Sequence, residues 1–229
     1  MRKPVVDYRQ FRLSKINTPQ FSHLKLLGGW FLYFVLFYLT ERFIPAQNCY
    51  VVHSPLDDMI PFMEIFIVPY VFWYVLIALT LVYFALYNVE NFKGFQKFIM
   101  ASQFIPMLIY IVFPTMQELR PNLDEIARSN IFKDLVGFLY TIDTNTNVCP
   151  SMHVAYSIGI ASAWLKEKSA STVWKIFIVV NVILICLSTA FIKQHSVIDA
   201  FAAIPVCIVA EVIAFGKNFW LQKFKRNKV

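Results

Sequence analysis

Charge is scarce in this chain of 229 residues. Asp, Glu, Lys and Arg make up 15% of it, against 58% hydrophobic residues, and the mean hydropathy is +0.57. Soluble domains usually carry about 25% charged residues, so an ordinary soluble globule is excluded. Cysteine is scarce as well, and four in this length are too few for a secreted disulfide scaffold. Repeats and low-complexity tracts are absent, and with 23 phenylalanines the chain is not disordered. A cleavable signal peptide is not apparent either: the first apolar run follows a long basic stretch and has no clear small-residue cleavage site. No run carries a string of charges, which argues against an ion pump or voltage sensor.

Six apolar runs are present, at about 26–39, 65–87, 98–113, 150–165, 173–192 and 197–215. A spanning helix needs roughly 20 mostly apolar residues, so six of them take about 120 and leave short loops and two tails. The expectation is an all-α polytopic membrane protein: one domain over residues 1–229 forming a six-transmembrane-helix bundle. The net charge of +7 then reads as topology and anionic-lipid contact rather than nucleic-acid binding. The 1–25 tail, the connections after runs two and four, and the 217–229 tail hold sixteen of the Lys and Arg residues. The other side holds five, namely Arg42, Arg120, Arg128, Lys133 and Lys193. This asymmetry places both termini in the cytoplasm and the 116–148 loop on the outer or lumenal side. Within that loop, Asn122 and Glu125 have the spacing of a helix cap. Ile126, Ile131, Leu135, Phe138 and Ile142 then recur at helical spacing, predicting an outer amphipathic helix that lies on the membrane or packs on the bundle. The five tryptophans fall mainly near run ends, as interfacial anchors do. The N-terminal tail either lies on the inner leaflet or is mobile.

Ionisable residues near membrane helices are expensive, and three groups of them fall on the outer side. In Cys149-Pro150-Ser151-Met152-His153, Pro150 suits the first position of a helix. The following backbone N–H groups, with the Ser151 hydroxyl, then form an anion site beside His153. In Lys193-Gln194-His195-Ser196-Val197-Ile198-Asp199, His195 and Asp199 share one helix face, and the carboxylate can fix the imidazole's tautomer. Arg120-Pro121 adds a guanidinium suited to phosphate. Taken singly, each group has a bland explanation: a capped helix, a structural hydrogen bond, a solvated loop charge. Together they meet the needs of phosphoryl transfer through a phosphohistidine. His195 is the nucleophile and His153 the acid, while Arg120, Lys193, Ser151 and backbone N–H groups hold the phosphoryl oxygens. Because the two histidines need opposite protonation states, a bell-shaped pH–rate profile is expected.

These residues resemble the type 2 phosphatidic acid phosphatase superfamily of integral membrane enzymes. Its pattern is Lys, six residues and Arg-Pro; Pro-Ser-Gly-His; and Ser-Arg, five residues, His, three residues, Asp. Arg120-Pro121 looks like the end of the first part. Pro150-Ser151-Met152-His153 looks like the second, with Met for Gly, and Ser188, His195 and Asp199 look like the third. The resemblance implies a reaction needing no metal or other cofactor at the outer or lumenal face, with His195, Asp199 and His153 catalytic and Arg120, Ser151 and Ser188 in the phosphate site. The family's Lys falls on Phe113 and its second Arg on Thr189, and Lys193 stands where it can supply one charge. Lys-Gln-His before the Asp resembles a divergent branch, comparable to phosphotransferases of the inositol phosphorylceramide synthase type.

The implied partner is a phosphorylated lipid within the membrane. The leading expectation is a lipid phosphatase acting on a phosphomonoester or diphosphate, such as phosphatidate, phosphatidylglycerol phosphate, a polyprenyl diphosphate or a sphingoid phosphate. The alternatives are a head-group phosphotransferase using the same site, and a non-catalytic lipid-binding or transport protein on the same bundle. A metal site from His153, His195, Asp199 and Cys149 has no trusted ligand spacing. Cys49 and Cys149 share the outer side, and a disulfide between them and two free thiols are both open.

Overall fold

The computed structural model describes residues 3–216; the C-terminal basic tail, with Trp220, lies outside the described residues. Eight α-helices carry the described chain: α1 (Gly28–Phe43), α2 (Pro55–Met59), α3 (Ile67–Tyr87), α4 (Val89–Val112), α5 (Ile131–Ile142), α6 (Met152–Lys166), α7 (Thr172–Phe191) and α8 (Val197–Phe215). Five of the helical segments, those of α1, α3, α4, α7 and α8, are long and apolar enough to cross a membrane, which marks an integral membrane protein. The fourth run, expected as a further span of the same kind, differs. It makes α6, of 15 residues, about 22 Å long, and this helix has most of its residues buried. Its neighbours enclose it, so it meets the other helices rather than lipid.

Successive long helices alternate in direction, which brings the ends of α1, α4 and α7 and the starts of α3, α6 and α8 to one end of the bundle. The core lies between α4, α6, α7, α8 and the lower part of α3, with Phe84, Phe92, Phe95, Phe98, Ile160 and Ile185 fully buried or nearly so. Small residues set how close these helices come. A Cβ on Gly159 of α6 would meet the Phe98 ring of α4 at 2.6 Å. The Trp164 indole donates to Thr80 Oγ1 at 3.0 Å, tying α6 to α3. Deep in the core Glu211 of α8 accepts from Ser162 at 2.6 Å and pairs with Lys166, both of α6. A carboxylate in that setting is tolerable because it is paired.

At the end where α6 and α8 begin, three loops are stitched together. Two-residue strands β1 (Tyr50–Val51) and β2 (Thr115–Met116) pair in parallel, and Met116 bridges to Thr146. Ser54 opens α2 with a capping box completed by Asp57. Ser196 does the same for α8 with Asp199. Asp57 also accepts from the Ser196 hydroxyl at 2.6 Å and the Val197 N–H at 2.8 Å, binding α2 to the start of α8.

The loop from 116 to 148 departs from the expected single helix. Asn122 caps only a 3-10 turn at Leu123–Glu125, and the helix begins six residues later, with Asn130 accepting from the Phe132 and Lys133 N–H groups. The α5 face with Val136 and Leu139 packs on Ile67 and Tyr70, whereas Ile131, Leu135, Phe138 and Ile142 are exposed. The tryptophans depart from the anchor expectation too. Trp73 and Trp164 are buried, Trp30 donates to Gln96 of α4 at 3.1 Å, and Trp174 alone of the four described is exposed. The N-terminal tail folds onto the opposite end of the bundle. Val5 N–H donates to Leu86 O, Tyr8 Oη meets His23 Nε2 at 2.6 Å, and Phe21 is buried.

Candidate active site

The turn between α7 and α8 presents the first histidine. Lys193 takes a left-handed conformation (φ 56°), which reverses the chain, and the N–H groups of Gln194 and His195 both donate to Thr189 O, at 2.9 and 3.0 Å. His195 is thereby fixed just before the capped start of α8. One turn on, Asp199 is fully buried, and its Oδ2 accepts both the Ser196 N–H at 3.0 Å and His195 Nδ1 at 3.1 Å. The cap of α8 therefore aims the carboxylate at the imidazole. With the Nδ1 proton held, Nε2 is the nitrogen left with a free lone pair.

His153 sits in the first turn of α6. The chain reaches it through a cis Cys149–Pro150 bond, with Tyr110 Oη of α4 donating to Pro150 O at 2.5 Å. Pro150 is not the first helical residue, as the sequence suggested. Ser151 is the cap, its hydroxyl accepting from the Val154 N–H, and its own N–H is spent on Asp199 O at 3.0 Å. The His153 ring stacks on Tyr70 at 4.5 Å and lies 4.2 Å from Trp73. It meets His195 edge to face, centroids 5.6 Å apart, and its Nε2 is buried without a hydrogen-bond partner.

Both imidazoles line one cavity of about 490 Å³ that runs down between α1 and α3. One end of its wall is polar, from Asp143, Thr144, Thr146, Asn147 and Gln194; the remainder is aromatic and aliphatic. Among the described residues no lysine or arginine lines it.

The sequence-predicted phosphate ligands are placed elsewhere. Arg120 stacks over the Tyr140 ring at 4.5 Å, and its nitrogens donate to Gln194 Oε1 and to the carbonyls of Tyr140, Asp143 and Thr144, at 2.6–3.3 Å. It clamps the end of α5 to the residue before His195. Burial lowers its pKa from the ordinary arginine value, partly offset by Asp143. Lys193 Nζ donates to Asp57 O and Ile60 O, both at 2.6 Å, closing the end of α2, and burial lowers its pKa too. Ser188 is buried in α7, where its hydroxyl donates to Ile185 O. Ser151 is fully buried beneath the helix start as a cap. Phe113, where the resembled family has Lys, stacks on Tyr50 at 4.2 Å. Cys49 and Cys149 are free thiols.

Asp143 is the cavity residue that the sequence did not announce. Its Oδ2 accepts from Tyr70 Oη at 3.0 Å and Gln194 Nε2 at 3.1 Å. Burial pushes its carboxyl above the ordinary aspartate range, against the pull of His195, the Tyr70 hydroxyl and Arg120. It follows α5 in a run of Thr and Asn, and nothing in that run separates it from a solvated loop acid. Its partner Tyr70 lies 73 positions earlier.

Neither a family model, a curated protein nor a solved structure matches the chain.

Proposed function

We propose that the protein is a membrane enzyme that transfers phosphoryl groups of lipids through a phosphohistidine on His195. The observation that carries this reading is one cavity wall holding the Asp199-oriented His195 edge to face with His153. His195 Nε2 attacks phosphorus and the bond from phosphorus to the leaving oxygen breaks. His153, protonated, gives its proton to that oxygen. In the second half water attacks, the P–N bond breaks, and neutral His153 takes the water's proton, restoring both rings. Asp199 holds the imidazole's tautomer and offsets its charge once phosphorylated. No step needs a metal, so turnover of a phosphorylated lipid by the purified protein survives EDTA and is lost in His195→Ala. Activity that EDTA abolishes, or that persists in the variant, contradicts the mechanism.

A second reading is head-group transfer, in which a lipid alcohol replaces water in the second half. The missing Lys and Arg in the cavity wall favour it. A phosphomonoester or diphosphate brings two or more negative charges to a wall that holds a carboxyl, whereas a phosphodiester brings one. Product analysis with and without a lipid alcohol separates hydrolysis from transfer.

The same reading makes α6 the sixth crossing, enclosed by the five apolar helices, and lays the exposed apolar face of α5 on the outer leaflet. The termini are then cytoplasmic and the site extracytoplasmic or lumenal, as the distribution of basic residues argues.

A further inference from the structure

We propose that the cavity is built for a phosphodiester lipid with an ammonium head group, choline or ethanolamine in kind, and that Asp143 is its counter-charge. This rests on the phosphohistidine reading for placing the phosphorus at His195, while the head-group preference itself is read from binding alone.

The cavity is itself amphipathic along its length. Its polar end carries Asp143 and Asn147 beside His195, and its other part is lined by Leu27, Ala78 and Leu81. From Trp73 to Leu81 is eight residues of α3, about 12 Å, which suits an acyl segment below the histidines. A lipid lying with its phosphorus at His195 therefore has its head group in the Asp143 end. Among the described residues no lysine or arginine lines that end, and Arg120 stands behind it on the Asp143 and Thr144 carbonyls. An anionic head group, or a phosphate with a second charge, would meet the Asp143 carboxylate across the cavity with no cation of its own to pair with.

An ammonium group finds the opposite there. Asp143 uses Oδ2 for Tyr70 and Gln194, and among the described residues its Oδ1 accepts no hydrogen bond. The nearest guanidinium, that of Arg120, is turned to the Asp143 carbonyl and to Gln194 rather than to the carboxylate. Tyr33, Trp73 and Tyr74 line the same cavity as Asp143, and π faces attract a desolvated ammonium. A carboxylate and several aromatic rings lining one cavity are the chemistry that selects an alkylammonium over a glycerol or inositol head.

The test uses the full chain in detergent as the unreactive His195→Ala variant. Its probes are short-chain phosphatidylcholine, phosphatidylethanolamine and phosphatidylglycerol, and binding is read from the change in total tryptophan fluorescence, to which Trp30 and Trp73 in the cavity wall contribute. The expected result is roughly tenfold tighter binding of the choline or ethanolamine lipid than of the glycerol lipid. Adding Asp143→Asn should remove that preference, weakening the choline and ethanolamine lipids and tightening the anionic glycerol lipid. Should Asp143→Asn fail to fold, Tyr74→Leu on the cavity wall should cut the choline preference several-fold. The ratio of choline to ethanolamine binding shows whether methyl groups or N–H donors are read. Equal binding of all three lipids, or a preference untouched in both variants, overturns the proposal. A preference seen without any turnover by the wild-type protein would instead overturn the phosphohistidine reading and leave this one standing.

Discussion

At the residue scale the site depends on two pairs of short contacts, His195 with Asp199 and His153 with its aromatic stack. Asp199 does two tasks with one oxygen, capping α8 and holding His195. Asp199→Asn keeps the shape but offers the imidazole the wrong partner. Turnover should fall on the order of 10²–10⁴-fold with the fold intact, as judged by an unchanged elution volume and melting profile. Asp143 sets a different expectation. Its carboxyl holds its proton to higher pH in the folded chain than in the unfolded one, because burial disfavours the charge. Between those two values the folded state binds more protons, so this group's contribution to stability falls as pH rises. Melting of wild type and Asp143→Asn from pH 4 upward should show wild type losing ground to the variant as the pH increases. A gap that stays constant, or moves the other way, contradicts that burial effect.

How much of the site the sequence disclosed follows from how local each contact is. His195 and Asp199 are four apart and Ser196 caps the helix between them, so spacing alone brought them together. Arg120 and Lys193 were expected at phosphate because their charge is visible in the sequence and their partners are not. Gln194 lies 74 positions from Arg120, and Asp57 lies 136 from Lys193. Both cations are occupied by carbonyls and an amide, acceptors that no pattern of side chains marks. Asp143 was missed for the same reason.

At the scale of elements, α6 is the piece that sequence periodicity described least well. It is shorter and less apolar than α3, α7 and α8, and it is buried on nearly every side, so its run reads as a span although its contacts are those of a core helix. Two features make that position possible. Gly159 lets α6 approach Phe98 of α4, and Gly159→Leu should overpack the contact and cost about 1–3 kcal/mol. Glu211 and Lys166 pair across α6 and α8 in the interior. Glu211→Ala takes the buried acceptor from Lys166 and the Ser162 hydroxyl and should cost about 1–3 kcal/mol, whereas Glu211→Leu with Lys166→Met should recover most of it. Unfolding in mixed micelles, followed by tryptophan fluorescence, measures both series. Equal losses for the single and double changes would show that the pair contributes nothing as a pair. The amphipathic pattern in the 116–148 loop was legible, but its start was not. Asn122 and Asn130 are both good caps, and tertiary contacts distinguish the second: Val136 and Leu139 pack on the bundle, and Arg128 and Asn130 bind Glu64.

At the scale of the whole molecule, alternating helices gather every candidate catalytic group at one end of the bundle and the folded N-terminal tail at the other. If the basic residues set the topology, the two ends face opposite compartments. A cysteine placed at Glu125 should then be labelled by an impermeant reagent from outside intact cells, and one at Lys168 only after permeabilisation. Labelling of both from one side would remove the six-crossing layout. The central claim concerns His195, and trapping the intermediate tests it most directly. The protein is quenched in base during turnover of a phospholipid and digested, and peptides carrying a phosphoryl or phospho-head-group adduct are sequenced by mass spectrometry. The account predicts an acid-labile, base-stable adduct on His195, absent from His195→Ala. An adduct on another residue, or steady turnover in the His195→Ala variant, would contradict it.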